Sequence, residues 1–374
     1  MGSAVSRPAA ERSADSAESP AEHATSEHAT EDIDALEAIM RLGGEQLRGR
    51  MARAELYLER VTAGAGTPLA LHANATIAAG GKRLRPLLVL LAAEAASDPD
   101  AGGPLSTADG DECLLRAAVA VELVHSATLV HDDLIDGAQL RRGHPTVAAL
   151  AGRQVAIATG DLLFSRAFAE LARNDDPAQL RVLSDASSAL AAGELLQRED
   201  AYASHVAVER YLRRCELKTA ALFEAACRLG ALVAVDGSGA LADTLGAFAR
   251  RIGLAFQMLD DVLDVSGPVE RTGKSRGTDL LDGTITLPLI LARERDSELA
   301  DIELVALRGA DGVGGTQKVE ELCNRIAATG ALGEARERAL MVVAEAKAVL
   351  SASLPADRTA LLGLVADAVV ERYR

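Results

Sequence analysis

"LVHDDLIDGAQLRRGHPT", Leu129 to Thr146, sets three aspartates within five positions and follows them with two adjacent arginines. The preceding run "AVAVELVHSATLV", Ala118 to Val130, is apolar around most of a helix, which marks it as a core element. Asp132 and Asp136 are four residues apart, so on a helix they share a face about one turn apart and aim two carboxylates the same way. They sit at the end of the apolar run, where the helix dipole disfavours negative charge. A solvated helix end would account for one such cluster. Taken alone, that is the better account of it; a core helix that carries its carboxylates to the mouth of the interior is the alternative, and the rest of the chain separates the two.

The cluster has an echo 128 residues later: in "FQMLDDVLD", Asp260, Asp261 and Asp264 repeat the spacing of Asp132, Asp133 and Asp136 behind the apolar "IGLAFQML". Two acidic clusters brought together repel unless cations bridge them. Hard divalent ions with oxygen ligands, magnesium above all, meet that need and fill their shells with water and phosphate oxygens. The implied ligand is a diphosphate. Cations suited to it stand nearby in sequence. "GGKRLRP" puts Lys82 and Arg85 at a helix start, where free N–H groups favour an anion. Arg141 and Arg142 follow the first cluster, Lys218 lies within "ELKTAALF", and Lys274 lies in "TGKSRG" after the second.

Across 374 residues with 49% hydrophobic content the chain can bury a large core. A net charge of -16 argues against nucleic-acid binding, so phosphate groups must be held by a few placed cations or by metal. Cys113, Cys215, Cys227 and Cys323 have neither zinc-site nor disulfide-framework spacing and read as thiols of a reducing, cytoplasmic compartment. No apolar run is judged to reach the roughly 18 to 20 residues of a membrane span. Residues 1–30, rich in Ala, Ser, Glu and Pro, are expected to form a disordered tail. From Ile33 the three-and-four periodicity predicts a single all-helical domain over 31–374. Helices are expected over 31–62, 67–79, 86–97, 112–135, 147–173, 178–199, 206–234, 239–266, 286–295, 316–329, 333–352 and 357–373, with no strands.

"GGKRLRP", "HDDLID…LRRGHPT", "GDLLF", "KTAALF", "FQMLDDVLD" and "GKSRGTDLLDGTITLP" occur here in the order found in the trans-isoprenyl diphosphate synthases, the polyprenyl synthetase family, which the chain resembles from about Ile33 to its end. The resemblance implies an all-α bundle of the isoprenoid synthase type around a deep apolar cavity, usually a homodimer. It implies head-to-tail (1'-4) joining of isopentenyl diphosphate to an allylic diphosphate with magnesium, three ions around bound diphosphate. Carried over residue by residue, it makes Asp132, Asp136 and Asp260 the principal metal ligands, with Asp133, Asp261 and Asp264 in support. Lys82, Arg85, His125 and Arg142 match the isopentenyl diphosphate site. Arg141, Lys218 and Lys274 match the grip on the allylic diphosphate, and Thr219 and Gln257 lie beside the reacting carbon. Arg141, Lys218, Thr219 and Gln257 thus form the catalytic set. Where the family often has a lysine, this chain has Thr284, which removes one cation.

Several residues read either way. His131 is assigned a structural role, Gly160 a close helix contact, Asp161 a supporting hydrogen bond, and Glu194 and Gln197 of "GELLQ" either metal waters or a plain polar face. Ala127, Thr128 and Val124 precede Asp132 where bulky side chains would close a cavity, and none is aromatic. The 19 residues from Cys113 to Asp132 span roughly 28 Å, room for about thirty extended carbons. A medium- or long-chain all-trans product is expected, with geranylgeranyl or farnesyl diphosphate as the alternative. Contact with a membrane would then be peripheral, at product release. A class I terpene cyclase fits less well, since aromatics make up 2% of the chain and offer few π faces to steer cyclising cations. A noncatalytic subunit of a heteromeric synthase would be expected to have lost the aspartates that this chain keeps.

Overall fold

A computed structural model of the chain describes residues 36–63, 68–97, 105, 107–234, 239–267, 276–307 and 313–371. The expected tail and Lys274 lie outside the described residues. In chain order the helices are α1 (Gly44–Ala63), α2 (Pro68–Ala78), α3 (Leu84–Ala96), α4 (Ala108–Asp136), α5 (Val147–Ala151), α6 (Arg153–Ala172), α7 (Pro177–Asp200) and α8 (Val208–Cys215). A π-helical turn, Glu216–Ala220, leads from α8 into α9 (Ala221–Ala234), followed by α10 (Gly239–Ser266), α11 (Thr278–Leu281), α12 (Leu287–Arg293), α13 (Ser297–Ala300), α14 (Val313–Ala328), α15 (Ala331–Ser353) and α16 (Ala356–Glu371).

The central helix is α4. Thr107 caps its start by accepting from the Gly110 N–H at 3.0 Å, and Gly137, left-handed at φ 68°, ends it one residue after Asp136. Contrary to the expectation from sequence, α4 does contain an apolar window long enough to cross a membrane, but 72% of that window is buried inside the molecule. Its apolar faces are satisfied by protein: α4 packs on α6, α3 and α9, and α9 in turn packs on α3 and α10. The α3–α9 pair is close because Gly230 faces the Val89 carbonyl oxygen, where a Cβ would come within 2.1 Å.

Three expected helices are interrupted. Gly43 breaks the first, with Gly44 at φ 70°, Gly152 at φ 85° separates α5 from α6, and the π turn divides 206–234. A short hairpin was not foreseen: Leu140–Arg141 (β1) pairs antiparallel with His144–Pro145 (β2), in register Leu140 to Pro145 and Arg141 to His144. Its two turn residues, Arg142 and Gly143, both have positive φ, 52° and 78°, as a tight two-residue hairpin requires.

Candidate active site

The last turn of α4 forms one rim of the site. Asp132 is half-buried, and its carboxyl is pushed up to about 6, chiefly by burial; Lys218 and Arg141 pull it down while Glu194 and Asp136 push it up. Asp136, the more exposed partner, accepts from an Arg198 guanidinium N–H. Arg198 Nε also donates to Glu194 Oε1 at 2.9 Å, and Lys218 Nζ donates to the other Glu194 oxygen. Carboxylate and cation therefore alternate from Asp136 through Arg198 and Glu194 to Lys218. Asp133 is buried on another face and accepts from Arg141 Nε at 2.7 Å.

The hairpin that follows sends its two arginines to different places. Arg141 turns back to Asp133, while Arg142 donates to the Gly80 carbonyl oxygen. Gly81, at φ 155°, lies against the Arg142 guanidinium, where a Cβ would approach Nη1 to 2.8 Å. This brings Arg142 to the start of α3, beside Arg85. The Arg85 guanidinium stacks over the Phe223 ring, 5.0 Å from its centroid, and its Nε is buried with no hydrogen-bond partner. Burial lowers its pKa to about 10, with Arg142 adding to the effect and Glu122 opposing it. His125 faces the same pocket: burial first, then Arg85, Arg142, Arg141 and Arg83, drive its pKa well below the ordinary value and keep it neutral. A neutral imidazole and a guanidinium whose buried Nε has no hydrogen-bond partner, among further cations, make a ready anion site. Lys82 stands exposed at its edge. Arg83 is committed elsewhere, to Glu55, Glu122 and the Ile77 carbonyl oxygen.

The π turn joins the two acidic clusters. A π turn inserts one extra residue into a helix and is common at functional sites. Here the flanks of the turn are fixed by glycines: a Cβ on Gly193 of α7 would lie 2.6 Å from the Lys218 backbone nitrogen, and one on Gly253 of α10 would lie 2.8 Å from the Ala220 Cα. Consecutive side chains then diverge. Lys218 reaches Glu194 and the field of Asp132, while the Thr219 hydroxyl donates to Gln257 Oε1 at 2.7 Å. Gln257 Nε2 donates on to Asp261 Oδ1 at 2.8 Å, and the Tyr211 hydroxyl donates to Asp261 Oδ2 at 2.6 Å.

Asp261 is thus fully engaged and buried, and burial raises its pKa. Asp264 accepts from the Thr278 and Asp279 N–H groups at 3.1 and 3.2 Å, capping α11. Asp279 in turn is driven well above the ordinary carboxylate range by burial and then by Asp264, Asp261, Asp260 and Asp282. Five carboxylates therefore share the second rim. The chemistry of this donor set, crowded hard oxygens with raised affinity for positive charge, fits a divalent ion. Among the described residues no three acidic or imidazole side chains converge on one metal point, so water and phosphate oxygens would have to complete any shell. Asp133, Asp261 and Asp264, expected among the metal-supporting residues, have oxygens engaged by Arg141, by Tyr211 and Gln257, and by backbone amides.

The other expected residues fall as follows. Ala127 and Val124 are completely buried, and Thr128 is half-buried with its hydroxyl on the His125 carbonyl oxygen at 2.8 Å. Gly160 does make a close contact, with the His131 ring, and His131 Nε2 lies 3.3 Å from the Ile157 carbonyl oxygen. Asp161 is 69% exposed, and its Oδ1 lies 3.7 Å from His131 Nε2, beyond hydrogen-bond range. Gln197 is half-buried. Thr284 is buried, its backbone N–H on the Asp279 carbonyl oxygen at 2.8 Å. Sequence reasoning missed Tyr211, Arg198 and Asp279. The last two were within reach, since Arg198 directly follows "GELLQ" and Asp279 lies in "GTDLLDG".

The sequence pattern of the polyprenyl synthetase family matches residues 68–325. Among curated proteins, the chain is 39% identical over 255 residues to heptaprenyl diphosphate synthase component 2 of Geobacillus stearothermophilus, covering 68% of this chain and 76% of that protein. It is 36% identical over 299 residues to the geranylgeranyl diphosphate synthase of Methanosarcina mazei, covering 79% and 86%. The crystal structure of a polyprenyl synthase from Caulobacter crescentus CB15, complexed with calcium and isoprenyl diphosphate, superposes with a TM-score of 0.77 at 34% identity, over 91% of this chain and 98% of that one. With its helical fold, its two acidic rims and a match over most of its length, the chain is a prenyltransferase and belongs to the polyprenyl synthetase family, the trans-isoprenyl diphosphate synthases.

Proposed function

We propose that the chain condenses isopentenyl diphosphate with an allylic diphosphate, head to tail, in a magnesium-dependent reaction, and releases a linear all-trans polyprenyl diphosphate of medium or long chain. The observation that carries this reading is the π turn, whose Lys218 and Thr219 link to the two acidic rims while Arg85, His125 and Arg142 form an anion pocket beside the first. Divalent ions held by Asp132, Asp136 and Asp260 would neutralise charge on the departing diphosphate. Lys218 and Arg141 add fixed positive charge to the same group, which favours ionisation most where water is excluded, and the resemblance assigns Lys274 to that group as well. Lys82, Arg85, Arg142 and the neutral His125 hold the second diphosphate, so that its double bond is oriented against the allylic carbon. Thr219 and Gln257 present oxygen atoms to the positive charge that develops there. The proton lost at the end passes to the released diphosphate.

Small side chains at Ala127, Thr128 and Val124 support a longer product, and a relative that makes geranylgeranyl diphosphate keeps a shorter one as the alternative. The four cysteines are free thiols, which suits a cytoplasmic protein. A homodimer is the assembly we favour; resemblance to a protein called component 2 favours, as the second reading, a heteromer. The test is to incubate the purified chain alone with magnesium, isopentenyl diphosphate and allylic primers of different length. A linear diphosphate supports the proposal, a cyclic hydrocarbon replaces it with terpene cyclisation, and product only after a partner chain is added points to the heteromer.

A further inference from the structure

We propose that Arg198 is an exchangeable diphosphate-binding cation, held by Asp136 and Glu194 and turned to the leaving group when a divalent ion claims Asp136. The inference deepens the proposed function and rests on it. Arg198 occupies the outer face of α7, one turn after Glu194, and its guanidinium spans two carboxylates, Nη2 to Asp136 and Nε to Glu194 at 2.9 Å. Asp136 is one of the pair with the right spacing and face to ligate a metal, whereas Asp133 and Asp261 are buried and tied to fixed partners. Arg198 is therefore the cation that an ion arriving at Asp136 must meet.

Two features make exchange cheap. Arg198 is 38% exposed and Asp136 30%, so the pair is screened and weak compared with a buried one. Glu194 is shared with Lys218, so releasing Arg198 leaves no buried carboxylate alone. A guanidinium freed from Asp136 still pivots on α7 beside the first rim, and its planar donor fork matches two phosphate oxygens.

Exchange of this kind requires opposite changes in two affinities. In Arg198→Gln, metal without diphosphate should bind more tightly, because a competing cation is gone; diphosphate in the presence of metal should bind more weakly, because a donor is gone. Manganese binding to the full-length protein, followed by electron paramagnetic resonance, should strengthen about two- to threefold. Inorganic pyrophosphate binding with magnesium present, followed by calorimetry, should weaken about tenfold, the loss of one charge-assisted contact. KM for the allylic diphosphate should rise with it, and Arg198→Lys should recover part of both. Unchanged pyrophosphate affinity, unchanged manganese affinity, or weakening of both together would overturn the proposal, and equal thermal unfolding of wild type and variant verifies that the fold is kept. Failure of the wild-type chain to turn over under these conditions would count instead against the proposed function.

Discussion

Asp132 couples its surroundings to pH in a definite direction. Its carboxyl is raised from an ordinary 3.8 to about 6 because burial disfavours the charged form. Between those values the folded chain keeps a proton that the unfolded chain has released, so this residue's contribution to stability is full below 3.8 and is lost as pH rises through 6. A divalent ion reverses the sign, since it binds the ionised form. Melting curves of wild type and Asp132→Asn at pH 5 and 7.5 should therefore show a variant as stable as wild type or more so at the higher pH without magnesium. Magnesium should raise the wild-type melting temperature at pH 7.5, less so at pH 5, and raise that of the variant least. Turnover should fall as pH drops below about 6, and Asp132→Asn should cost on the order of a hundredfold in kcat, the range for removing one electrostatic stabiliser.

At the level of elements, the π turn depends on what presses on it. Gly193→Ala would place a Cβ against backbone of the turn, 2.6 Å from the Lys218 nitrogen and 2.9 Å from its Cα, and backbone cannot swing aside as a side chain can. Overpacking of this kind costs about 1–3 kcal/mol, and here it moves Lys218 and Thr219 directly, so kcat should fall more than tenfold even where the fold survives. Gly333→Ala is the matched control: Gly333 is an exposed position of α15 with open space around its would-be Cβ, and the change should stabilise by about 0.5–1 kcal/mol without touching kcat. Denaturant titration beside steady-state kinetics separates the two. The other element with a legible output is α4. Ala127 is completely buried one turn before Asp132, so Ala127→Phe must fill or displace whatever volume lies there, and chromatography of dephosphorylated products should reveal shorter chains. An unchanged product distribution from a folded variant would reject the assignment of chain length to this face.

For the whole molecule, what could be read from sequence was whatever repeats locally: helical periodicity, glycine and proline breaks, and motifs whose residues lie within one turn of each other. The acidic pairs on α4 and α10 were of that kind, as was the basic start of α3. What escaped depends on partners far away in the chain. Nothing in "ELKTA" distinguishes a π turn from ordinary helix, and Tyr211 acquires its role only because Asp261, 50 residues on, folds against it. Arg83 is the widest case. Left-handed at φ 48°, at the start of α3, it donates to Glu55 on α1, to the Ile77 carbonyl oxygen on α2 and to Glu122 on α4, so one side chain ties four helices together. It also sets the positions of Lys82 and Arg85 on either side of it. Glu122 is buried, and burial raises its pKa, an effect that Arg83 first, then Arg85 and Arg142, oppose. Removing one partner of such a pair leaves an uncompensated buried charge, at about 3–5 kcal/mol. Arg83→Met should therefore lose stability of that order in denaturant titration and weaken binding of isopentenyl diphosphate. Adding Glu122→Gln to it should recover much of the stability, because the stranded charge is gone, but not the binding, because α3 has lost its anchor to α1 and α2. If the double variant instead regained substrate affinity along with stability, Arg83 would be a charge partner only, and the register of the anion pocket would have to come from the packing of α3 on α9.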